Sequence, residues 1–399
     1  MGKKILAAIL AVLMLAAVVG CSGNNNAAVS GTDNAPVAEG LTAENIKIGV
    51  LHIGDPADGS GYSYTHDLGI QAMQANIGLR DDQIVRELNI DDSDSAAIKT
   101  AIEDCIAQGC NLIFTTSYGF MDTTEAMANE YPEIYFSHGT GYKSNDTNFN
   151  NYFGRIYQAR YLSGIAAGLK TVSGKIGYVA AYGTELAETC SGINAFALGV
   201  QSVNPDAVVY VKTLSSWYDP ANETAFAEAL IDMGCDVITQ HCDTANPQIA
   251  AANAGVFGCG YNSDMTAQAP TAHLTAPIWN WGVYYTACAE AVINGTFTEF
   301  GNYYGGLKEG FVDVSPLSEN CAEGTQEKID AVKALVLADE WDVFSGVKLS
   351  FDENGAVVKT DADLLDNAGN VLGAAGGASV EDSVITGTMN YFVAGVELK

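Results

Sequence analysis

The sequence predicts an α/β protein of two doubly wound lobes, each built on a parallel sheet with helices on both faces. Short apolar runs with strand character alternate with amphipathic helical segments along most of the chain, which is the pattern of βαβ crossover units. This pattern starts again at KIGYVAAYG, which repeats the character of the first strand region, IKIGVLHIG. The chain of 399 residues also exceeds one typical domain. We therefore expect two lobes of similar build.

The N-terminal residues, 1–44, have the composition of an export leader followed by a tether. Two lysines precede the apolar run ILAAILAVLMLAAVV, and Gly20 and Cys21 follow it. This order predicts removal of residues 1–20 by a lipoprotein signal peptidase and attachment of a lipid to Cys21. An uncleaved anchor is the alternative, although the apolar run is short for a membrane span. Residues 21–44 are rich in Gly, Ser and Asn and predict a disordered linker.

The first lobe is predicted from residue 45 onwards. Its candidate strands and helices alternate in the order NIKIGVLHIG, THDLGIQAMQANIG, QIVRELNI, SAAIKTAIEDCIAQG, CNLIFTTS, TTEAMANEYP and EIYFSHGTG. Each strand is a short apolar run, and each helix has apolar residues three and four positions apart.

The second lobe is predicted after the helical segment QARYLSGIAAGLKTVSG, and its strand and helix candidates alternate in the same way. Its candidates are KIGYVAAYG, CSGINAFALGVQSVN, AVVYVKTLSS, NETAFAEALIDMG, CDVITQH, NPQIAAANAG and VFGCGYN. The segment LTAPIWNWGVYYTACAEAVINGTF then predicts a strand and a long helix, and NYYGGLKEGFVDVSP predicts a strand that crosses back between the lobes.

These segments define the expected domain boundaries. The N-terminal lobe comprises residues 45–160 and 284–308, and the C-terminal lobe comprises residues 161–283 and 309–346. Residues 347–399 contain short strand candidates joined by turn sequences such as Asn354-Gly355. They predict a small C-terminal β extension.

The charge and the cysteine content narrow the class of partner. A formal net charge of -30, with only 18 Lys and Arg residues, argues against nucleic acid; the acidity also serves solubility. The eight cysteines other than Cys21 show no CxxC or Cys/His spacing of a zinc site. We expect them to be free thiols, with disulfides as the alternative, and we expect no metal site.

Candidate binding residues lie where predicted strands end, because parallel sheets bind ligands at the carboxyl ends of their strands. Aromatic, hydroxyl and carboxylate side chains recur at these ends: Tyr62, Ser63 and Tyr64, Tyr118 and Asp122, Trp217, His241 and Asp243, and Asp264. Packing against the first helix is the alternative for Tyr64, and helix capping is the alternative for Asp122.

The motifs of the common enzyme classes are absent from the sequence. It contains no GxSxG, HExxH or GxGxxG, so we expect no catalytic residue and no cofactor. Aromatic faces and carboxylates together suit a planar, uncharged small molecule with N–H donors.

Several segments in order resemble the basic membrane protein, or PnrA-like, family of ABC-transporter substrate-binding lipoproteins. They are the lipobox, IKIGVLHIGDPADGSGYSYTHDLG, LIFTTSYGFMD, YFSHGTGYK, RIYQARYLSGIAAG, VQSVNP, SSWYDPANE, ALIDMGCDVITQHCD, GYNSDM and GLKEGFV. The resemblance implies a periplasmic-binding-protein type I fold, with two lobes joined by three crossovers that close on a purine nucleoside or a related purine.

The resemblance also implies roles for individual residues. The family's two stacking aromatics fall on Tyr62 and Trp217, and the aspartate of its vDsD-like motif falls on Asp264. A family lysine is expected near Trp279 in LTAPIWNWG, where this chain has none. We read Trp279 as a ligand neighbour that blocks ribose and favours a free base.

The expected function is therefore that of a lipid-anchored, monomeric receptor that delivers a purine, preferably an adenine-like free base, to an ABC permease. A nucleoside receptor is the first alternative. A surface enzyme acting on nucleosides and a receptor for sensing without transport are the others.

Overall fold

The computed structural model describes residues 40–399, and residues 41–399 form one compact unit. The predicted lipidation site, signal peptide and most of the linker lie outside the described residues. Within residues 40–399, no helix combines the length and apolar character needed to cross a bilayer.

The N-terminal lobe begins with five strands and three helices, in the predicted order. They are β1 (Ile48–Leu51), α1 (Gly61–Ile77), β2 (Ile84–Glu87), α2 (Ser95–Ala107), β3 (Leu112–Thr115), α3 (Met121–Glu130), β4 (Tyr135–Gly139) and β5 (Phe149–Gly154). The central strands β1 and β3 are buried at every residue, which explains their unbroken apolar sequences, since helices cover both faces of a parallel sheet.

The C-terminal lobe follows with four helices and four strands. They are α4 (Ile156–Lys170), β6 (Lys175–Ala180), α5 (Ala187–Val203), β7 (Val208–Thr213), α6 (Pro220–Asp232), β8 (Val237–His241), α7 (Asn246–Ala254) and β9 (Phe257–Cys259). The helices α4 and α5 pack closely because glycines face each other's backbones: a Cβ at Gly164 would lie 2.2 Å from the Phe196 carbonyl oxygen.

The chain then passes between the lobes, as the strand sequences predicted. The elements are β10 (Pro277–Trp279), α8 (Trp281–Ile293), α9 (Phe297–Phe300), β11 (Tyr303–Gly305), β12 (Val312–Val314) and α10 (Thr325–Leu337). Helix α8 packs on α1, and β11 pairs with β5 in the first sheet. Strands β10 and β12 pair with each other and pack on α4 of the second lobe.

Both main sheets are parallel throughout. Their strand orders are β11-β5-β4-β3-β1-β2 in the first lobe and β17-β7-β6-β8-β9 in the second, with β17 defined below. This is the α/β architecture expected from the sequence. It places the carboxyl ends of both sheets along one cleft.

Three crossovers join the lobes and are hydrogen-bonded to one another. Arg155, between β5 and α4, donates its backbone N–H to the Gly305 carbonyl at 2.7 Å. Asn280, between β10 and α8, does the same to Phe311 at 2.8 Å. The first crossover thus lies at Arg155, before the boundary expected after residue 160.

The last residues form a small appendage and then rejoin the second lobe. The elements are β13 (Val347–Phe351), β14 (Val357–Asp361), β15 (Leu364–Leu365), β16 (Val371–Gly373), α11 (Asp382–Gly387) and β17 (Val396–Leu398). The first four strands make two antiparallel hairpins. Residues 347–399 are therefore not wholly an extension, because β17 pairs in parallel with β7 and completes the second sheet.

Candidate functional site

A cavity of about 530 Å³ lies between the lobes where the strands of both sheets end, within the size range of small-molecule sites. The residues that line it follow β1, β2, β3 and β4 in one lobe and β6, β7, β8 and β9 in the other. They are Ile53, Tyr62, Asp92, Ser117, Tyr118, Gly119, Thr140, Tyr182, Glu185, Leu186, Glu188, Trp217, Asp243 and Tyr261. Four of the predicted site residues meet here: Tyr62, Tyr118, Trp217 and Asp243.

The N-terminal wall of the cavity is formed by side chains with hydrogen-bond partners. The Tyr62 hydroxyl, in the first turn of α1, donates to the Thr116 carbonyl at 2.5 Å, which fixes its ring at the cleft. The Ser117 hydroxyl donates to the Asp92 carboxylate at 2.5 Å. Tyr118 is 57% exposed at the same wall, so its ring is open to a ligand.

The C-terminal wall contains a row of aromatic side chains in edge-to-face contact. The Trp217 ring lies 5.8 Å from the ring of Tyr182 and 5.5 Å from that of His241. The His241 ring in turn lies 4.6 Å from Tyr261. The loop that carries Trp217 is held by its carbonyl, which accepts the Asp243 N–H at 2.9 Å.

Two carboxyl groups of the C-terminal wall have perturbed ionisation. Burial raises the pKa of Asp243 to about 7, although a hydrogen bond from the Asn262 amide at 3.0 Å lowers it. Burial also raises the pKa of Glu188 to about 7, and the positive charge of Arg160 opposes that rise. Near neutral pH both groups are therefore poised between acid and carboxylate.

His241 lies one layer behind the cavity. It is fully buried, and burial lowers its pKa well below the usual value, so the ring is neutral. Its Nε2 lies 3.8 Å from the Glu188 carboxylate. Neither ring nitrogen makes a hydrogen bond to any residue that the structure describes.

Three predicted site residues of the first lobe do not line the cavity. The Ser63 hydroxyl accepts the Gly54 N–H at 3.0 Å and so holds the loop after β1. Tyr64 is half-buried in α1 away from the lining. Asp122 is exposed and pairs with Lys143 at 2.8 Å; it lies in the first turn of α3 rather than at the cap.

Asp264 and Trp279 lie outside the cavity too, at an open groove of about 660 Å³ between α1, α8 and the loop after β9. Asp264 is exposed there and accepts the Thr266 N–H at 2.8 Å. The Trp279 indole stacks on Trp281 at 4.5 Å, and its N–H points to the Tyr261 hydroxyl at 3.3 Å. Trp279 thus supports a cavity residue from behind and does not itself line the cavity.

The cavity also contains residues that the sequence reasoning passed over. Asp92 follows β2, Tyr182 and Glu188 follow β6, and Tyr261 follows β9. The rule that ligands bind at strand ends covers all four, so the signal was present in the sequence. Arg160, on the buried face of α4, has no such signal.

The arrangement favours a ligand that donates hydrogen bonds. Among the described residues, four carboxyl groups and no lysine or arginine line the cavity. A phosphorylated ligand would meet only like charge there. Residues 40–399 also contain no group of three or more His, Cys, Asp or Glu that could hold a metal ion.

Comparison with known proteins agrees with this architecture. Residues 46–341 match the family model described as ABC transporter substrate-binding protein PnrA-like. A purine-binding protein of Brucella abortus (strain 2308) is 35% identical over 356 residues, which are 89% of this chain and 94% of that protein.

Two further proteins extend the comparison. A putative ABC transporter glucose-binding protein of Haloferax volcanii is 34% identical over 82% of this chain and 80% of its own length. A solved ABC-transporter solute-binding protein from Conexibacter woesei superposes with a TM-score of 0.63 at 19% identity, covering 74% of this chain and 98% of its own. The last comparison concerns the fold alone.

Proposed function

The chain belongs to the PnrA-like family of ABC-transporter substrate-binding proteins, and from this membership we propose that its cleft captures a purine, with an adenine-like free base favoured. The observation that carries the proposal is the lining itself. Aromatic rings reach the cavity from both lobes, and four carboxyl groups accompany them without a cation. Aromatic faces stack on a planar base, and carboxylates accept from its ring N–H and amino groups.

The preference for a free base rests on what contacts ribose. The resemblance assigns that contact to a lysine, and neither a lysine nor an arginine lines the cavity among the described residues. The indole of Trp279 gives no support, because it lies behind Tyr261. A purine nucleoside is the alternative ligand, since Ser117 and Thr140, which carry hydroxyls, also line the cavity.

In this proposal the protein is a monomer held at the extracytoplasmic face by a lipid on Cys21. The ligand stabilises the closed arrangement of the lobes by contacting both walls. The closed lobes then present one composite surface to the permease. Replacing Cys21 with alanine should release the protein from the membrane fraction, and mass spectrometry of the wild-type N-terminus should find a diacylglycerol-modified cysteine.

Calorimetric titration tests the ligand. The full-length protein, purified in detergent and refolded to remove carried-over ligand, is titrated in parallel with adenine, guanine, adenosine, inosine and glucose. We expect adenine to bind most tightly. Tighter binding of a nucleoside would replace the free-base assignment, and binding of glucose alone would overturn the purine proposal.

The same samples test for catalysis. Inosine incubated with the protein overnight should be recovered unchanged by chromatography. Release of hypoxanthine at a rate that depends on protein concentration would move the chain to the enzyme alternative.

A further inference from the structure

Arg160 is a buried cation directly behind the cleft. Its side chain is fully buried on α4, and its Nη1 donates to the Gln240 carbonyl at 2.5 Å. Its Nε and Nη2 make no hydrogen bond to a described residue, and no carboxylate of the described chain lies within 4.0 Å of it. A buried charge in this situation is costly, so its retention requires a reason.

The guanidinium is directed at the C-terminal wall of the cavity. It lies 4.0 Å from the centre of the Tyr261 ring, and Tyr261 lines the cavity. Helix α5 approaches it closely because residue 192 is glycine: a Cβ there would lie 3.0 Å from the His241 ring and 3.6 Å from Arg160 Nε. One turn earlier on α5, Glu188 points into the cleft.

We propose that Arg160 is a positioning residue for ligand recognition: its charge stabilises the ionised form of the Glu188 carboxyl, which accepts an N–H from the bound base. This inference rests on the proposed function, because it requires a ligand with N–H donors in the cleft. When the lobes close on a ligand, water leaves the cavity and the neutral acid is favoured. A fixed positive charge behind the wall opposes that change without contacting the ligand.

The other charged and titratable groups around Glu188 do not substitute for Arg160. His241 is neutral, and burial raises the pKa of each neighbouring tyrosine above its usual value, so the phenols stay uncharged. Among these neighbours in the described part of the chain, Asp243 titrates in the same range. Besides His241, whose Nε2 lies 3.8 Å from its carboxylate, the groups that interact electrostatically with Glu188 are Arg160, Asp243, Tyr62, Tyr178, Tyr261 and Tyr304.

The test is a double-mutant cycle read as a pH profile. Adenine affinity is measured by calorimetry from pH 5.5 to 8.5 for the full-length wild type, R160M, E188Q and R160M/E188Q. In the wild type the affinity should rise with pH through a midpoint near 7, the pKa of Glu188. In R160M the midpoint should move up by about one pH unit, which weakens binding at pH 7 about fivefold.

The background variants separate this role from a structural one. In E188Q, the R160M change should cost no further affinity, whereas a D243N background should keep the midpoint shift. R160K, which retains the charge, should keep the wild-type midpoint. An equal loss of affinity at every pH, with or without Glu188, would overturn the proposal and assign Arg160 to packing alone.

Three further outcomes are informative. If R160M does not fold by circular dichroism, E188Q alone decides: it should remove the pH-dependent step that D243N retains, and an unchanged profile in E188Q would refute the role of Glu188. If the wild type binds adenine but R160M leaves its profile unchanged, only this inference fails. If the wild type binds no purine at any pH, the proposed function fails instead.

Discussion

The two walls of the cleft are built on the same strand-end plan, yet they differ in chemistry. On the N-terminal wall, Tyr62 and Ser117 donate to oxygens of their own lobe. On the C-terminal wall, Glu188 and Asp243 carry pKa values raised to about 7, and a buried arginine lies behind them. The difference teaches that fold symmetry does not imply equal roles. In the proposed function, the carboxyl groups of the C-terminal wall recognise the N–H donors of the ligand, and the Tyr62 ring of the N-terminal wall, held by its hydrogen bond to Thr116, acts as an aromatic cover.

The largest effect should come from a carboxylate of the C-terminal wall. Asp243→Asn removes a charged acceptor, so we expect purine affinity to fall about 10- to 100-fold in calorimetry. Asp92→Asn, on the opposite wall, should cost less because Asp92 already accepts from Ser117. Asp264→Asn is the control, since this exposed carboxylate lies outside the cavity. If Asp92→Asn costs as much as Asp243→Asn, the comparison between the walls fails.

The next effect concerns the point where the walls touch. Gly61 has a left-handed backbone with a φ of 84°, and a Cβ on Gly61 would lie 2.4 Å from the Asp243 carbonyl oxygen of the other lobe. Gly61→Ala should therefore obstruct closure and weaken binding about tenfold.

Gly59→Ala is the matched control for that substitution. Gly59 has the same left-handed backbone, with φ of 71°, but no atom lies within 4 Å of a Cβ built there. It carries the backbone strain without the contact between lobes. Equal affinity losses in the two variants would attribute the effect to strain and not to closure.

A smaller effect should follow from the aromatic cover. Tyr62→Ala removes one stacking face, worth about 1 kcal/mol, so affinity should fall about fivefold. Tyr62→Phe keeps the ring and loses only the hydrogen bond to Thr116. It should retain most of the affinity. If the Tyr62→Phe variant binds as weakly as the Tyr62→Ala variant, Tyr62 contributes through its hydrogen bond, and the description of its ring as an aromatic cover is wrong.

The last prediction concerns the stability of the ligand-free protein, which is measured separately from affinity. Burial raises the pKa of Glu188 in the folded protein from 4.5 to about 7. The contribution of Glu188 to the free energy of unfolding is therefore complete below pH 4.5 and is lost as the pH rises through 7. The neutral variant Glu188→Gln lacks this loss. Between pH 5 and pH 8, its free energy of unfolding should gain about 2–3 kcal/mol relative to the wild type. Denaturant titrations at both pH values measure the difference, and a constant difference would contradict it.

Much of the fold was predictable because its signals are local. Buried parallel strands such as β1 and β3 are continuous apolar runs, and the restart at β6 marked the second lobe. The same local rule placed Tyr62, Trp217 and Asp243 at the cleft. The C-terminal strand was among the expected short strands, but its pairing with β7 in the second sheet escaped the local rule, because the sequence of a three-residue strand does not identify its partner.

The remainder of the site depends on which way a side chain faces. Trp279 occupies the position that family resemblance marks, but its indole stacks on Trp281 and does not line the cavity. Arg160 lies within an apolar helix, and only the packing of α4 against β8 and α5 shows that it lies behind the cavity. The local sequence predicts whether a residue lies in a helix, a strand or a loop. The direction in which its side chain faces depends on tertiary contacts.

Strand β17 has a practical consequence for anyone who shortens this chain. The chain leaves the second lobe to form the hairpins of the appendage and then returns to it as β17. Deleting the appendage alone therefore keeps β17, whereas truncating the C-terminus removes it. Ending the chain at residue 346 would also strip the strand that covers β7. The bared amides and carbonyls of β7 would then form an open template for pairing between molecules. A soluble, shortened receptor has to rejoin residue 346 to the segment that precedes Val396 by a linker, and so keep the sheet edge capped.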